Sequence, residues 1–307
     1  MQFLRSAVGS IVQAPAKLNL FFEVLAKRDD GYHEIETLMT PIDLYDTLYF
    51  REERSGQIKL QCERLLESGR CDGLRPVRAG VGELPLGSDN LVVRAVELLR
   101  RRAGVGFGAT LRLVKRIPMA AGLGGGSSDA AAALAAANEG WRLGWSLNEL
   151  ADVAAELGSD VPFFLVGGPA VCRGRGQRVE LFEAAGVLNF VVVRPPGGLS
   201  TTTVYEACRP ARTPEALGPL QDALWEGNIK RIGRLLFNRL QPAAEELSPW
   251  IRRLERVFAR EECLGHGMSG SGTSYFGLCR HAKHARHVAR RLQANGAGSV
   301  FAVRGCR

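Results

Sequence analysis

Between Pro118 and Asp129 the chain reads Pro-Met-Ala-Ala-Gly-Leu-Gly-Gly-Gly-Ser-Ser-Asp, and from there to Asn138 it is almost entirely alanine. Four glycines, Gly122, Gly124, Gly125 and Gly126, let backbone N–H groups approach an anion without interference from a Cβ. The alanine run predicts a helix, with Ser127, Ser128 and Asp129 placed where N-caps belong. A helix start adds oriented donors and the positive end of its dipole. The hydroxyls of Ser127 and Ser128 suit a phosphate or a metal ion. This is the physics of a triphosphate site. It is not a Walker A loop, because no Lys-Ser/Thr pair closes it. Neither an HRD nor a DFG triplet occurs, which excludes a protein kinase. Gly104, Gly106 and Ala109 fit G-x-G-x-x-A but follow a helical pattern, whereas a dinucleotide site needs a strand first.

The chain has 307 residues, enough for one or two domains with real cores. Forty Lys and Arg against thirty-two Asp and Glu leave a net charge of +8. An enzyme handling phosphorylated substrates shows that bias, and the basic residues come in twos and threes rather than as a polybasic arm. No nucleic-acid partner is expected. The seven cysteines are scattered and include no CxxC pair, which fits free thiols in a reducing, cytoplasmic setting. One Arg and no long apolar run in the first twelve residues argue against a secretory leader, and no run of 18 apolar residues predicts a membrane span.

Strand-like sequence runs from Ile11 to Leu25 and, after a turn at Asp29, Asp30 and Gly31, on to Phe50. Residues 51–88 read as irregular, punctuated by Gly and Pro. Helices are predicted near 90–102, from 127 and over 148–157, with a strand at 110–114. Beyond an apolar strand at 189–193, helical patterns fall near 214–225, 229–240, 247–260 and 281–294, with short strands near 274–278 and 298–304. Strand-rich sequence followed by mixed helix and strand predicts an α+β protein of two domains, 1–185 and 186–307.

Three weaker segments join the glycine loop. Lys17 and Asn19, in Ala14-Pro-Ala-Lys-Leu-Asn-Leu20, lie two apart and so share one face of a strand. Asp160 sits in Gly158-Ser-Asp-Val-Pro162, where it suits either a local cap or a side chain presented to ligand. Gly267-Met-Ser-Gly-Ser-Gly-Thr-Ser274 is a second glycine-serine loop. His281, His284 and His287 recur along one predicted helix, but Lys283, Arg286, Arg290 and Arg291 crowd it with positive charge, so a basic face is expected there and no metal site.

In their order, the Pro-Ala-Lys-Leu-Asn-Leu strand, the glycine loop and the C-terminal Gly-Ser-Gly loop resemble the GHMP kinase superfamily. The resemblance tightens at Arg28-Asp-Asp-Gly-Tyr-His33, at Asp89-Asn-Leu91 and at Gly158-Ser-Asp-Val-Pro162, and covers nearly everything outside 51–88. It implies an α+β, two-domain GHMP kinase fold with the active site in the cleft between domains. It also implies a small-molecule kinase using ATP and Mg²⁺ on a cytidine diphosphate ester of a sugar alcohol. By that resemblance Asp160 is the catalytic base and Lys17 the cation beside the reacting hydroxyl. Pro118, Met119, Ala120, Ala121, Gly122, Leu123, Gly124, Gly125, Gly126, Ser127 and Ser128 hold the ATP phosphates, with Asn90 towards the adenine. Asn19, Tyr32, His33, Thr201 and Tyr205 bind the substrate, the aromatic rings stacking on the cytosine. The rival readings are a mevalonate- or homoserine-type kinase of the same superfamily and a GHMP-fold sensor that binds without turnover.

Overall fold

The structure is a computed structural model that describes residues 1–6, 9–64, 87 and 89–306. Its contacts group into two compact units. One holds 1–16, 44–119 and 124–167, and the other 17–43, 120–123 and 168–307. These units are discontinuous in sequence, a division of a different kind from the consecutive segments 1–185 and 186–307. Most of residues 65–88, the bulk of the stretch read as irregular, lies outside the described residues, as does Cys71.

The first unit is built on a sheet. Strand β1 (Gln2–Ser6) pairs antiparallel with the start of β2 (Gly9–Lys27), and the second half of β3 (His33–Glu53) continues the order β1-β2-β3-β5-β4. β4 (Ile58–Arg64) is a strand where irregular chain was predicted. Its alternation is charged and only half-buried, so periodicity hid it, and it is held by parallel pairing with β5 (Gly108–Lys115). Between them runs α1 (Leu91–Ala103), which starts on Asn90, whose Oδ1 accepts the Val92 N–H at 2.8 Å. It stops at Gly104, whose φ of +66° is the left-handed conformation that suits glycine. Gly104 is thus a helix stop, as the rejection of the dinucleotide reading requires.

Helix α2 (Gly125–Gly140) packs against α1, α3 (Leu147–Leu157) and α4 (Val161–Val166). Its Ala130 to Ala133, Leu134, Ala136 and Ala137 are all fully buried, so alanine is used here for close approach on several faces. The predicted caps are corrected by one turn. Gly124, with φ +71°, is the N-cap; Ser127 falls within the first turn, and Ser128 and Asp129 are buried beyond it. A left-handed glycine ends the loop earlier than side-chain capping chemistry suggested.

In the second unit, the first half of β3 pairs with β6 (Ala170–Gly174), which continues into β7 (Arg178–Leu181), a hairpin the sequence reading omitted. β8 (Asn189–Arg194) lies inside a four-stranded antiparallel sheet. Helix α5 (Thr201–Ala207), also unforeseen, precedes α6 (Gly218–Trp225) and α7 (Ile229–Arg234). The predicted helix 229–240 ends early because β9 (Phe237–Asn238) pairs in parallel with Phe21 and Phe22 of β2. Helices α8 (Gln241–Leu247) and α9 (Pro249–Phe258) follow, separated by Ser248. β10 (Gly265–Met268), β11 (Tyr275–Cys279), α10 (Ala282–Ala294) and β12 (Ser299–Arg304) complete the order β10-β11-β8-β12. Phe22, Val191, Val193, Leu254, Phe258, Tyr275, Val288 and Leu292 share one core. No helix is long and apolar enough to cross a membrane among the described residues.

Candidate active site

In the second unit the two loops meet. The Lys17 N–H donates to the Leu123 carbonyl at 3.0 Å, and the Ser274 N–H donates to the Ala121 carbonyl at 3.1 Å. Ser269, fully buried, donates its hydroxyl to the Gly122 carbonyl at 3.2 Å and accepts the Asn19 N–H at 3.3 Å. Glycine is required at 122. Its φ is +71°, and a Cβ there would lie 2.4 Å from the Ser269 carbonyl oxygen and 2.9 Å from that of Gly272.

Lys17 and Asn19 do share a face. Lys17 Nζ donates to Asn19 Oδ1 at 2.5 Å, and Asn19 Nδ2 donates to Thr37 Oγ1 at 2.9 Å. Thr37 passes its own proton to the Phe21 carbonyl at 2.6 Å. Both Lys17 and Asn19 are buried, so the ammonium is held by a chain of directed bonds rather than by bulk water. Gly270, with φ +58°, lies against this pair, and a Cβ there would meet Lys17 Nζ and Asn19 Oδ1, each at 3.2 Å. Asn238 fixes that loop. Its Nδ2 donates to the carbonyls of Met268 (2.7 Å) and Gly270 (2.8 Å), while its Oδ1 accepts the Leu240 N–H at 2.9 Å. Sequence reading gave Ser269, Thr37 and Asn238 no role. Ser269 was visible only as part of a glycine-serine motif, and Thr37 and Asn238 depend on strand pairings that no local pattern announces.

Next to Asn238, Arg239 forms a two-pronged pair with buried Glu23, both contacts at 2.8 Å. Burial alone would raise the Glu23 carboxyl, but the guanidinium and the N–H groups of Glu215 and Val24 outweigh it and hold the carboxyl below its ordinary value.

The proposed substrate aromatics lie in the same unit. His33 opens β3, and its ring stands 5.0 Å from that of Tyr205 at a 33° tilt. Burial, and then the nearby Lys27, lowers the His33 imidazole, which favours its neutral form. Tyr32 is exposed in the preceding turn with the Arg175 guanidinium 4.7 Å from its ring centre. Thr201, at the start of α5, shares a 2.9 Å hydroxyl contact with Ser271 of the second glycine loop.

Within the first unit, the approach to the helix is anchored by charge. Asp46 Oδ1 accepts the N–H groups of Arg116 and Ile117, fixing the turn just before Pro118. Lys115 is buried between Asp46 and Asp129, 2.5 Å from Asp129 Oδ2. Burial raises the Asp129 carboxyl well above its ordinary range; Lys115 opposes this and Asp46 adds to it. Lys115 itself is raised, the two carboxylates outweighing its burial. The buried Ser128 Oγ has no hydrogen-bond partner among the described residues. Asn90 caps α1. Asp160 occupies the N-cap position of α4, half-buried, but its side chain makes no capping bond to that helix. Asp160 is therefore not a side-chain cap of α4.

His281 and His284 bond the backbone at the start of α10. His281 Nδ1 accepts the His284 N–H at 3.1 Å, and His284 Nδ1 accepts the Arg280 N–H at 3.2 Å.

Residues 90–168 match the GHMP kinases N terminal domain and residues 220–298 the GHMP kinases C terminal domain. A 4-diphosphocytidyl-2-C-methyl-D-erythritol kinase of Pelotomaculum thermopropionicum is 43% identical over 282 residues, covering 91% of this chain and 92% of that protein. A crystal structure of 4-(cytidine 5'-diphospho)-2C-methyl-D-erythritol kinase superposes with a TM-score of 0.77 at 33% identity, covering 97% and 99% of the two chains. Homoserine kinase from Cytophaga hutchinsonii, at 19% identity and a TM-score of 0.74 over 99% and 97%, shares the fold. The fold and the paired glycine loops are those of the GHMP kinases. Within them, this chain belongs to the family of 4-diphosphocytidyl-2-C-methyl-D-erythritol kinases.

Proposed function

We propose that this kinase transfers the γ-phosphate of ATP to the 2-hydroxyl of 4-diphosphocytidyl-2-C-methyl-D-erythritol, with Asp160 as base and Lys17 as the charge-stabilising cation. The observation that carries the reading is the Lys17–Asn19–Ser269–Gly122 network, which fixes an ammonium beside a glycine phosphate loop. Phosphoryl transfer asks mainly for positioning and charge neutralisation. Asp160 accepts the hydroxyl proton as the oxygen attacks phosphorus, and ADP leaves. Lys17 orients that hydroxyl and offsets developing negative charge. The loop from Pro118 to Ser128 presents backbone N–H groups to the phosphates.

Mg²⁺ fits this site as a guest of the phosphates. No cluster of three or more His, Cys, Asp or Glu suited to a metal occurs among the described residues, whereas Ser128 offers an unpartnered buried oxygen. When bound, the ion neutralises phosphate charge. Tyr32 and Tyr205 supply stacking surfaces for cytosine, and His33 a polar edge. The free thiols at Cys62, Cys208, Cys263 and Cys279 support a cytoplasmic setting.

The test is ADP release with ATP and Mg²⁺, with and without the cytidine substrate, on wild type and Asp160→Asn. Substrate-dependent turnover that falls at least a hundredfold in the variant is expected. Undiminished turnover in the variant removes Asp160 from the mechanism, and mevalonate or homoserine turnover in place of the cytidine ester would overturn the substrate.

A further inference from the structure

Some arginines of the described residues are held in ion pairs. Arg28, Arg173, Arg178, Arg239, Arg280 and Arg291 each lie within 4 Å of a carboxylate. Arg252, Arg253, Arg256 and Arg260 have no ion-pair partner among the described residues, although Glu245 and Glu246 line the same groove. That groove has a volume of about 420 Å³ and runs along α9, with Pro249 and Val257 among its lining residues. The volume is within the range of small-molecule sites.

Arg252 and Arg256 are four residues apart on α9, so they stand on one face about 6 Å apart along the axis. Arg253 is held in place over the Trp250 ring at 4.8 Å. Glu245 is engaged elsewhere, accepting a bond from Gln241 Nε2 at 2.8 Å. The result is a short rank of guanidinium forks, each able to bind a phosphate through two parallel bonds, with carboxylates among the other lining residues. An extended polyanion needs a continuous basic stripe. Here the basic surface is brief and bounded by Glu245 and Glu246, which suits a compact anion.

We propose that this groove is a second ligand site of the chain, taking a diphosphate through Arg252, Arg256 and Arg260, with Pro249 and Val257 accommodating an apolar substituent. None of its lining residues belongs to the glycine loops or to the Lys17 network, and it does not depend on which hydroxyl the kinase phosphorylates.

The experiment is calorimetric titration of the full chain, at low salt, with inorganic pyrophosphate and with a short alkyl diphosphate, on wild type and Arg252→Gln/Arg256→Gln. Both side chains are exposed, and ATP turnover by the double variant is expected to match wild type, which shows that it folds. Two binding events are expected in wild type, one at the glycine loop and one in the groove, and the second should weaken at least tenfold in the variant. Tighter binding of the alkyl form assigns the site to organic diphosphates, and equal binding assigns it to pyrophosphate itself. Identical titrations of wild type and variant overturn the proposal. So does variant-sensitive binding of an RNA oligonucleotide that pyrophosphate fails to displace, since that would mark a nucleic-acid surface.

Discussion

Asn238 offers the sharpest test of how the second glycine loop is held. Its amide makes three bonds, two donated to the carbonyls of Met268 and Gly270 and one accepted from the Leu240 N–H, in a buried position. Asn238→Ala removes all three and leaves their backbone partners wanting. At about 1 kcal/mol net for each bond, the loss is about 3 kcal/mol. Unfolding entropy of about 2.1 cal/mol/K per residue, over 307 residues, converts this into a fall of about 5 °C in Tm when the chain unfolds as one.

Asn238→Asp is the more telling variant. Its shape is nearly the same, yet it turns an oxygen towards two carbonyl oxygens. It should be less stable than the alanine variant at neutral pH and recover part of the loss in acid, where protonation restores one donor. Both variants should also lose turnover at temperatures where they remain folded, because Gly270 lies against Lys17 and Asn19. Thermal unfolding at pH 5 and pH 8, paired with ADP release at 25 °C, reads both effects. If the aspartate variant melts with wild type at both pH values, Asn238 does not hold the loop and the reasoning is wrong.

Gly122→Ala should cost about 3 kcal/mol or more, since about 1–2 kcal/mol of left-handed strain adds to a Cβ pressed against two backbone carbonyls; urea unfolding and ATP turnover check it, and wild-type values in both would contradict the docking of the two loops. Asp129 predicts a pH effect. Its folded-state carboxyl is raised, so the native chain keeps a proton that the unfolded chain releases above about pH 4. Wild type should therefore lose stability as the pH rises from there. Asp129→Asn has nothing to titrate and should show a flatter Tm profile over this range, whereas parallel profiles would sink the assignment.

Much of this was legible in the chain because the signals were local. Glycines followed by alanines announced a loop feeding a helix, and two polar residues at strand spacing announced Lys17 and Asn19 on one face. What escaped was set by partners distant in sequence. β4 carries charged, half-buried residues and exists because β5 pairs with it, and β9 interrupts a helical pattern because Phe21 and Phe22 recruit it. The cap of α2 was misplaced because serine chemistry was weighed above the backbone freedom of Gly124. Ser269 and Asn238 were out of reach for the same reason, since their partners lie up to 250 positions away.

The alanine helix has a thermodynamic consequence. Helix α2 is packed by α1, α3 and α4, and side chains all around it are fully buried. Such a rod has no slack in which to slide or turn when an anion arrives at its first turn. Little entropy is left for nucleotide binding to remove from that end of the cradle, so the donors there are preorganised. Residues 121–123 are pinned in their turn, since Ser274, Ser269 and Lys17 each bond one of their carbonyls, so that stretch too starts out ordered.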